Sequence, residues 1–349
     1  MKAIPSVIRS PLMTGLLLTV SLPAAADLAV LQYHHVSDDT PAATSTTPAL
    51  FDQQLELIDT LSLPVEPLRT ATEHALSGQM GADPAVAITF DDAYTSVYTT
   101  AAPKLLERDW PFTVFVNTDA INEGRHDYMT WDQLKELASH PQVTIANHSA
   151  DHGHLVRKLD ESEEHWQQRA AASLDQAQST LASKLGTDAP LFAYPYGEFD
   201  ENLEALIQAR DWYGYGQHSG AVGESSGATR LPRFPMANAY GQMEGLKDKL
   251  LSRALPVDAN TLPDGRLPEN PPTLALDLPE SLRASALTCF GSGVGQLDVE
   301  PTGNGNRVTI TADQPFNSRR FRYNCTYPAG EGRYYWQSVQ WLDRSQPED

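Results

Sequence analysis

Short, continuous apolar runs punctuate the first two thirds of the chain. Leu28 to Tyr33, Ala85-Val86-Ala87-Ile88-Thr89-Phe90 and Val143-Thr144-Ile145-Ala146 are rich in β-branched and aromatic residues. Runs of this kind predict strands buried on both faces of a parallel sheet. Helical stretches alternate with them: Glu161 to Lys184, Glu201 to Arg210, and Gln133 to Ala138, which Thr130 or Asp132 can cap. The pattern changes late in the chain. Arg307-Val308-Thr309-Ile310-Thr311, Arg320 to Cys325 and Tyr334 to Trp341 predict strands separated by turn residues, the signature of a small all-β unit, a sandwich. Between the two regions, Pro256, Pro263, Pro268, Pro271, Pro272 and Pro279 accompany Asn260, Gly265 and Asn270, which predicts an extended linker. The expected organisation is an α/β region over 27–255, a proline-rich linker over 256–279 and a β-rich domain over 280–349.

The ends of the chain refine this picture. Lys2 and Arg9 precede an apolar stretch from Met13 to Leu22 and a small-residue site, Ala24-Ala25-Ala26. Residues 1–26 therefore predict a secretory signal cleaved after Ala26, and the stretch is too short, and too closely followed by Pro23, for a membrane span. A periplasmic or secreted protein is expected. Both cysteines, Cys289 and Cys325, fall in the β-rich region, and an even count in an exported chain predicts one disulfide. The formal charge of −20 grows more negative still when Lys2 and Arg9 leave with the signal. An acidic chain without a basic stripe disfavours nucleic acid and anionic lipid as partners and is compatible with a neutral or cationic glycan.

Candidate chemistry sits where the apolar runs end. Asp91-Asp92 closes the run ending at Phe90, and Asn147-His148-Ser149-Ala150-Asp151-His152 follows the run ending at Ala146. One carboxylate and two imidazoles make an open site for a divalent metal, and the other carboxylate is left as a base. In parallel α/β folds, ligand chemistry gathers at the C-terminal ends of strands. Adjacent strand residues face opposite sides, so both aspartates can serve one site only if the strand has ended by Asp91.

These residues resemble the polysaccharide deacetylases of the carbohydrate esterase type. The family's Thr-Phe-Asp-Asp motif is matched by Thr89 to Asp92. Its His-Ser/Thr-x-x-His motif is matched by His148, Ser149 and His152, and its Tyr-Pro-Tyr-Gly motif by Tyr194 to Gly197. The resemblance covers roughly Leu28 to Lys249; Tyr33-His34-His35-Val36 and Leu231-Pro232-Arg233 are closest in flavour to the poly-N-acetylglucosamine deacetylases. It implies a distorted (β/α) barrel followed by the small all-β domain, and metal-dependent release of acetate from an N-acetylated polysaccharide. Asp92, His148 and His152 would be the ligands of a divalent metal, zinc from the mixed donor set, with Asp91 the general base and Tyr196 the backbone donor to the oxyanion. Where many relatives place an arginine that pairs with the base, this chain has Ala193-Tyr194, which makes Arg233 the substitute and Tyr194 a substrate-lining residue. His34 is expected to line the pocket and Trp131 to stack on a sugar ring. His154 is expected outside the ligand set.

The late Leu-x-His motif that supplies the family's general acid has no match after Arg233, and His218 is the last histidine. Alternative readings are therefore a glycan-binding protein with an impaired deacetylase domain, or a deacetylase of peptidoglycan, chitin-like oligomers or O-acetyl groups. Tyr323, Tyr327, Tyr334, Tyr335, Trp336 and Trp341 crowd the β-rich region. Core packing is the reading favoured for them, with a sugar-stacking face as the alternative.

Overall fold

The computed structural model describes residues 27–81, 83–303 and 306–348. Seven strands form a curled parallel sheet: β1 (Leu28–Tyr33), β2 (Ala85–Phe90), β3 (Phe112–Val116), β4 (Val143–Asn147), β5 (Leu191–Ala193), β6 (Tyr213–Tyr215) and β7 (Phe234–Pro235). Their order is β6-β5-β4-β3-β2-β1-β7, so each strand lies beside its predecessor until β7 returns to the far side of β1. This is a distorted (β/α) barrel. The central strands are fully buried because helices such as Pro48–Thr60, Leu68–Leu76 and Glu163–Leu185 cover the sheet, which explains runs without polar alternation.

Local sequence explains the helix boundaries. Trp131–Ala138 starts at a capping box, with Thr130 Oγ1 accepting from the Gln133 N–H and the Gln133 side chain reaching back to the Thr130 N–H. Glu163–Leu185 begins after Ser162, whose side chain accepts from the His165 N–H, and ends at Gly186 in the left-handed conformation, φ 70°. Its start is two residues later than the sequence reading from Glu161, because the serine captures the first free N–H groups.

The C-terminal strands are β8 (Arg253–Ala254), β9 (Thr273–Asp277), β10 (Thr288–Gly291), β11 (Gly295–Leu297), β12 (Val299–Thr302), β13 (Arg307–Thr311), β14 (Arg320–Gly330) and β15 (Arg333–Leu342). They form a five-stranded sheet, β8-β15-β14-β10-β11, and a three-stranded sheet, β9-β13-β12. Leu274, Leu276, Val308, Ile310, Phe321, Tyr323 and Trp341 share the core of this module. Cys289 and Cys325 are partners in the β10–β14 register and are joined by a disulfide. Part of the stretch expected as a linker is built into the module. Thr273–Asp277 pairs antiparallel with β13, and Val257, with Leu255 just before the stretch, enters the same core. Apolar residues spaced between the prolines anchor the segment, which proline content alone did not reveal.

Of the aromatics in this module, Tyr323 and Trp341 are buried in the core, Trp336 packs edge-on against Phe234 of β7, and Tyr334 is exposed. Among the described residues, no helix is long and apolar enough to cross a membrane. The expected signal segment, 1–26, lies outside the described residues.

Candidate metal centre and catalytic site

The site forms where β1, β2, β4 and β5 end. Strand β2 stops at Phe90, and Asp92 and Ala93 turn into the left-handed region at φ 71° and 57°. That break in the pleat aims both adjacent carboxylates into one site. In the loop after β4, Ser149 and His152 adopt φ 66° and 53°. Local hydrogen bonds hold this loop: the Ser149 N–H donates to Asn147 Oδ1 at 2.8 Å and the His152 N–H to Ser149 Oγ at 3.1 Å. Left-handed backbone at residues with a Cβ costs on the order of 1–3 kcal/mol each and persists where the surroundings over-determine it.

Asp92, His148 and His152 each offer one ligand atom, and these atoms lie within 4.8 Å of one another. Asp92 Oδ1 is 3.2 Å from His152 Nε2 and 3.5 Å from His148 Nε2, and it accepts from Asn117 Nδ2 at 3.3 Å. The fully buried His148 places Nδ1 2.7 Å from the Ala193 carbonyl oxygen, which fixes the proton on Nδ1 and leaves a lone pair on Nε2. That Nε2 is buried and has no hydrogen-bond partner among the described residues. Burial pulls the imidazole down to about 4, with Asp91 and Asp92 opposing and His152 reinforcing the shift, so the ring is neutral and able to ligate at neutral pH. The donor set therefore fits a divalent cation.

Asp91 is fully buried and held by Arg233, whose Nη1 and Nη2 donate to its two oxygens at 2.7 and 2.8 Å. Gln32 Nε2 donates to Oδ2 at 2.7 Å, and Arg233 Nε is itself fixed by the Gly216 carbonyl at 2.9 Å. Burial alone would raise the carboxyl, but Arg233, with help from His148 and His34, carries it well below the usual carboxylate range. The arginine expected to replace the missing partner of the base thus meets Asp91 bidentately. His34 lies beside them, Nε2 4.0 Å from Asp91 Oδ2, with a partly exposed side chain. The parallel pairing of Tyr33 with Phe90 carries the next residue of each strand to the same place.

Tyr196 sits in the turn Tyr194–Glu198 with φ 58° and ψ 2°. Its ring meets His152 edge-on at 4.6 Å and stacks on His154 at 4.0 Å. Gly197, at φ 69°, is required for space as well as conformation, because a Cβ there would lie 2.6 Å from Gln217 Cβ.

Two expected substrate contacts are corrected. Tyr194 is completely buried against Phe192 and Phe199, and its hydroxyl donates to the Thr229 carbonyl at 2.7 Å, so it is a core residue. Trp131 packs against the main core, donates from Nε1 to Asn122 Oδ1 at 3.1 Å and carries Lys184 over its ring, so packing takes the place of sugar stacking. His154 is outside the ligand set but also turned away from solvent, with Nδ1 2.9 Å from Glu198 Oε2. His218 is buried, and burial followed by nearby arginines pulls it down to about 3, which makes it unfit to carry a proton to substrate at neutral pH. Gln32 and Asn117 went unnoticed in the sequence, because amides carry no motif of their own.

The fold and site together are a curled parallel sheet with a carboxylate and imidazole cluster at its strand ends. Residues 79–213 match the polysaccharide deacetylase family model. The protein YxkH of Bacillus subtilis (strain 168), whose name places it with the polysaccharide deacetylases, is 29% identical over 152 residues, 42% of this chain and 50% of that one. The match thus spans half the length of this curated relative. The Streptococcus pyogenes deacetylase PplD, solved in complex with acetate, shares the fold at TM-score 0.57 and 21% identity over 65% of this chain and 99% of its own. IcaB from Ammonifex degensii gives TM-score 0.53 at 21% identity over 60% and 91%. A de-N-acetylase from Aggregatibacter actinomycetemcomitans gives 0.56 at 17% over 64% and 99%. Residues 79–213 are thus similar in sequence to polysaccharide deacetylases, and the sheet that carries them shares its fold with solved deacetylases.

Proposed function

We propose that this chain is a metal-dependent N-deacetylase of an N-acetylglucosamine-containing polysaccharide, working in the periplasm or outside the cell. The observation that carries the reading is the unpartnered, buried Nε2 of His148 facing Asp92 and His152, next to an aspartate locked by Arg233. Asp92, His148 and His152 would hold the cation, and zinc is the ion their mixed donor set favours. A cation bound there lowers the pKa of water and polarises an amide carbonyl.

The chain's own residues supply the remainder. Asp91, ionised under the field of Arg233, accepts the proton of the attacking water while Arg233 and Gln32 hold its orientation. The backbone N–H of Tyr196 donates to the developing oxyanion from a turn whose shape Pro195 and Gly197 fix. His34, beside Asp91 at 4.0 Å, protonates the departing amine and fills the general-acid role for which the late sequence has no histidine. The choice of N-acetylglucosamine polymer rests on the Tyr33-His34-His35-Val36 and Leu231-Pro232-Arg233 resemblance and on likeness to a de-N-acetylase. Export is supported by the Cys289–Cys325 disulfide. We read 27–255 as the catalytic domain and the chain beyond it as an appended β module.

The test is acetate release from poly-N-acetylglucosamine, with metal content measured on the same preparation. Wild type should release acetate and carry one divalent ion per chain. Asp91→Asn should keep the metal and lose turnover, whereas His148→Ala/His152→Ala should lose the metal. Full metal occupancy in that double variant would remove the ligand assignment.

A further inference from the structure

The β module reaches the catalytic turn directly. Glu198, which ends the turn containing Tyr196, is buried and accepts four hydrogen bonds. Arg319 donates from Nε at 2.8 Å and from Nη2 at 3.2 Å, Arg320 donates from Nη1 at 2.8 Å, and His154 Nδ1 lies at 2.9 Å. One residue earlier, the carbonyl of Gly197 accepts from Gln340 Nε2 at 2.6 Å. The Arg320 guanidinium also stands 5.4 Å over the Tyr196 ring. Arg320 opens β14, Arg319 immediately precedes it, and Gln340 lies on the neighbouring β15, so all three come from one region of the module.

We propose that the C-terminal β module is a clamp on the active site, with Arg319, Arg320 and Gln340 as positioning residues that hold the Tyr196 turn against the metal-ligand loop. Tyr196 is in a left-handed conformation that is costly for a residue with a side chain and persists where its surroundings hold it. The module supplies such restraint at both the carbonyl and the carboxylate of the turn. Glu198 ties the clamp to the ligand loop as well, because His154 lies two residues beyond His152. The module thus acts on turnover through the catalytic domain, and a freely tethered glycan-binding role does not account for these buried contacts. The oxyanion role of the turn rests on the function proposed above; the clamp on its conformation does not.

Two measurements on the full-length, metal-loaded protein test this. Arg320→Ala and Gln340→Ala should raise hydrogen exchange in residues 194–199 and lower kcat on a soluble N-acetylglucosamine oligomer at least about tenfold, as misplaced donors do. KM and metal content should stay close to wild type in both variants, and the melting temperature should do so in Gln340→Ala. Arg320→Lys, which keeps a charge opposite Glu198, should recover part of the loss. Unchanged exchange at 194–199 overturns the clamp, and faster exchange with unchanged kcat overturns its role in positioning. If wild type releases no acetate, the function fails instead, and the exchange result still decides the clamp. Gln340→Ala, which removes one neutral donor, keeps the test valid if the Arg320 variants do not fold.

Discussion

Arg233 grips both carboxylate oxygens of Asp91, and both side chains are fully excluded from solvent. A buried pair of this kind is held by mutual attraction against a large desolvation cost, so removing one partner strands the other. Arg233→Ala should therefore destabilise the fold by about 3–5 kcal/mol. Asp91→Asn leaves the guanidinium buried beside an amide and should cost less, because the Gly216 carbonyl and an amide oxygen still accept from it. Urea unfolding of both variants checks the ordering. A loss below about 1 kcal/mol for Arg233→Ala, the level of an exposed pair, would show that the pair does not bear on stability.

The place of His34 leads to a prediction about leaving groups. A general acid typically contributes about 10²–10⁴-fold, and its contribution is needed only where the departing group is a poor one. His34→Ala should lower kcat within that range on an N-acetylated sugar, since an amine must be protonated as it leaves. Hydrolysis of an aryl acetate, whose phenolate leaves unaided, should hardly change. Equal loss on both substrates would reassign His34 to binding or to support of Asp91.

How much of this was legible varies with the range over which the information acts. Strand β2 was readable to the residue, because a continuous apolar run is cut off by two aspartates that cannot be buried in a strand unpaired. The cluster of Asp92, His148 and His152 was readable because carboxylate and imidazole types recur at strand ends. The closeness of His34 to Asp91 was not, since it depends on which strands are neighbours, and the pairing of β1 with β2 brings the two together. Tyr194 misled because an aromatic beside a catalytic motif looks like a sugar platform, whereas its backbone direction points it into the core. The contact between Glu198 and Arg319 spans 121 residues and has no local signal at all.

Glu198 also sets an acid limit. Burial opposes its ionisation, but hydrogen bonds from His154 and Arg319, with Arg320 adding to them, win and hold it at about 2 against an ordinary value of 4.5. A depressed carboxylate contributes stability that is complete above its unfolded value and is lost as pH falls through the folded one. Wild type should therefore exceed Glu198→Gln in stability by a constant margin above pH 4.5, and the margin should close between 4.5 and about 2. Urea midpoints measured across that window check it. A margin that does not change with pH would mean that the neutral carboxyl serves Arg319 and Arg320 equally well.

The disulfide gives the last expectation. Cys289 and Cys325 are fully buried register partners on β10 and β14, and β14 begins at the arginine that meets Glu198. The bridge closes a loop across a sequence separation of 36, and loops of this order typically contribute about 2–4 kcal/mol. Reduction should lower module stability by that amount while leaving Asp92, His148 and His152 in place, because none of them lies on a module strand. Turnover should nevertheless fall along with hydrogen-exchange protection at residues 194–199, since loosening β14 loosens its hold on the Tyr196 turn. Metal content and acetate release measured before and after reduction separate the two effects. If activity survives reduction intact while the module loses protection, the module does not act on the site through β14.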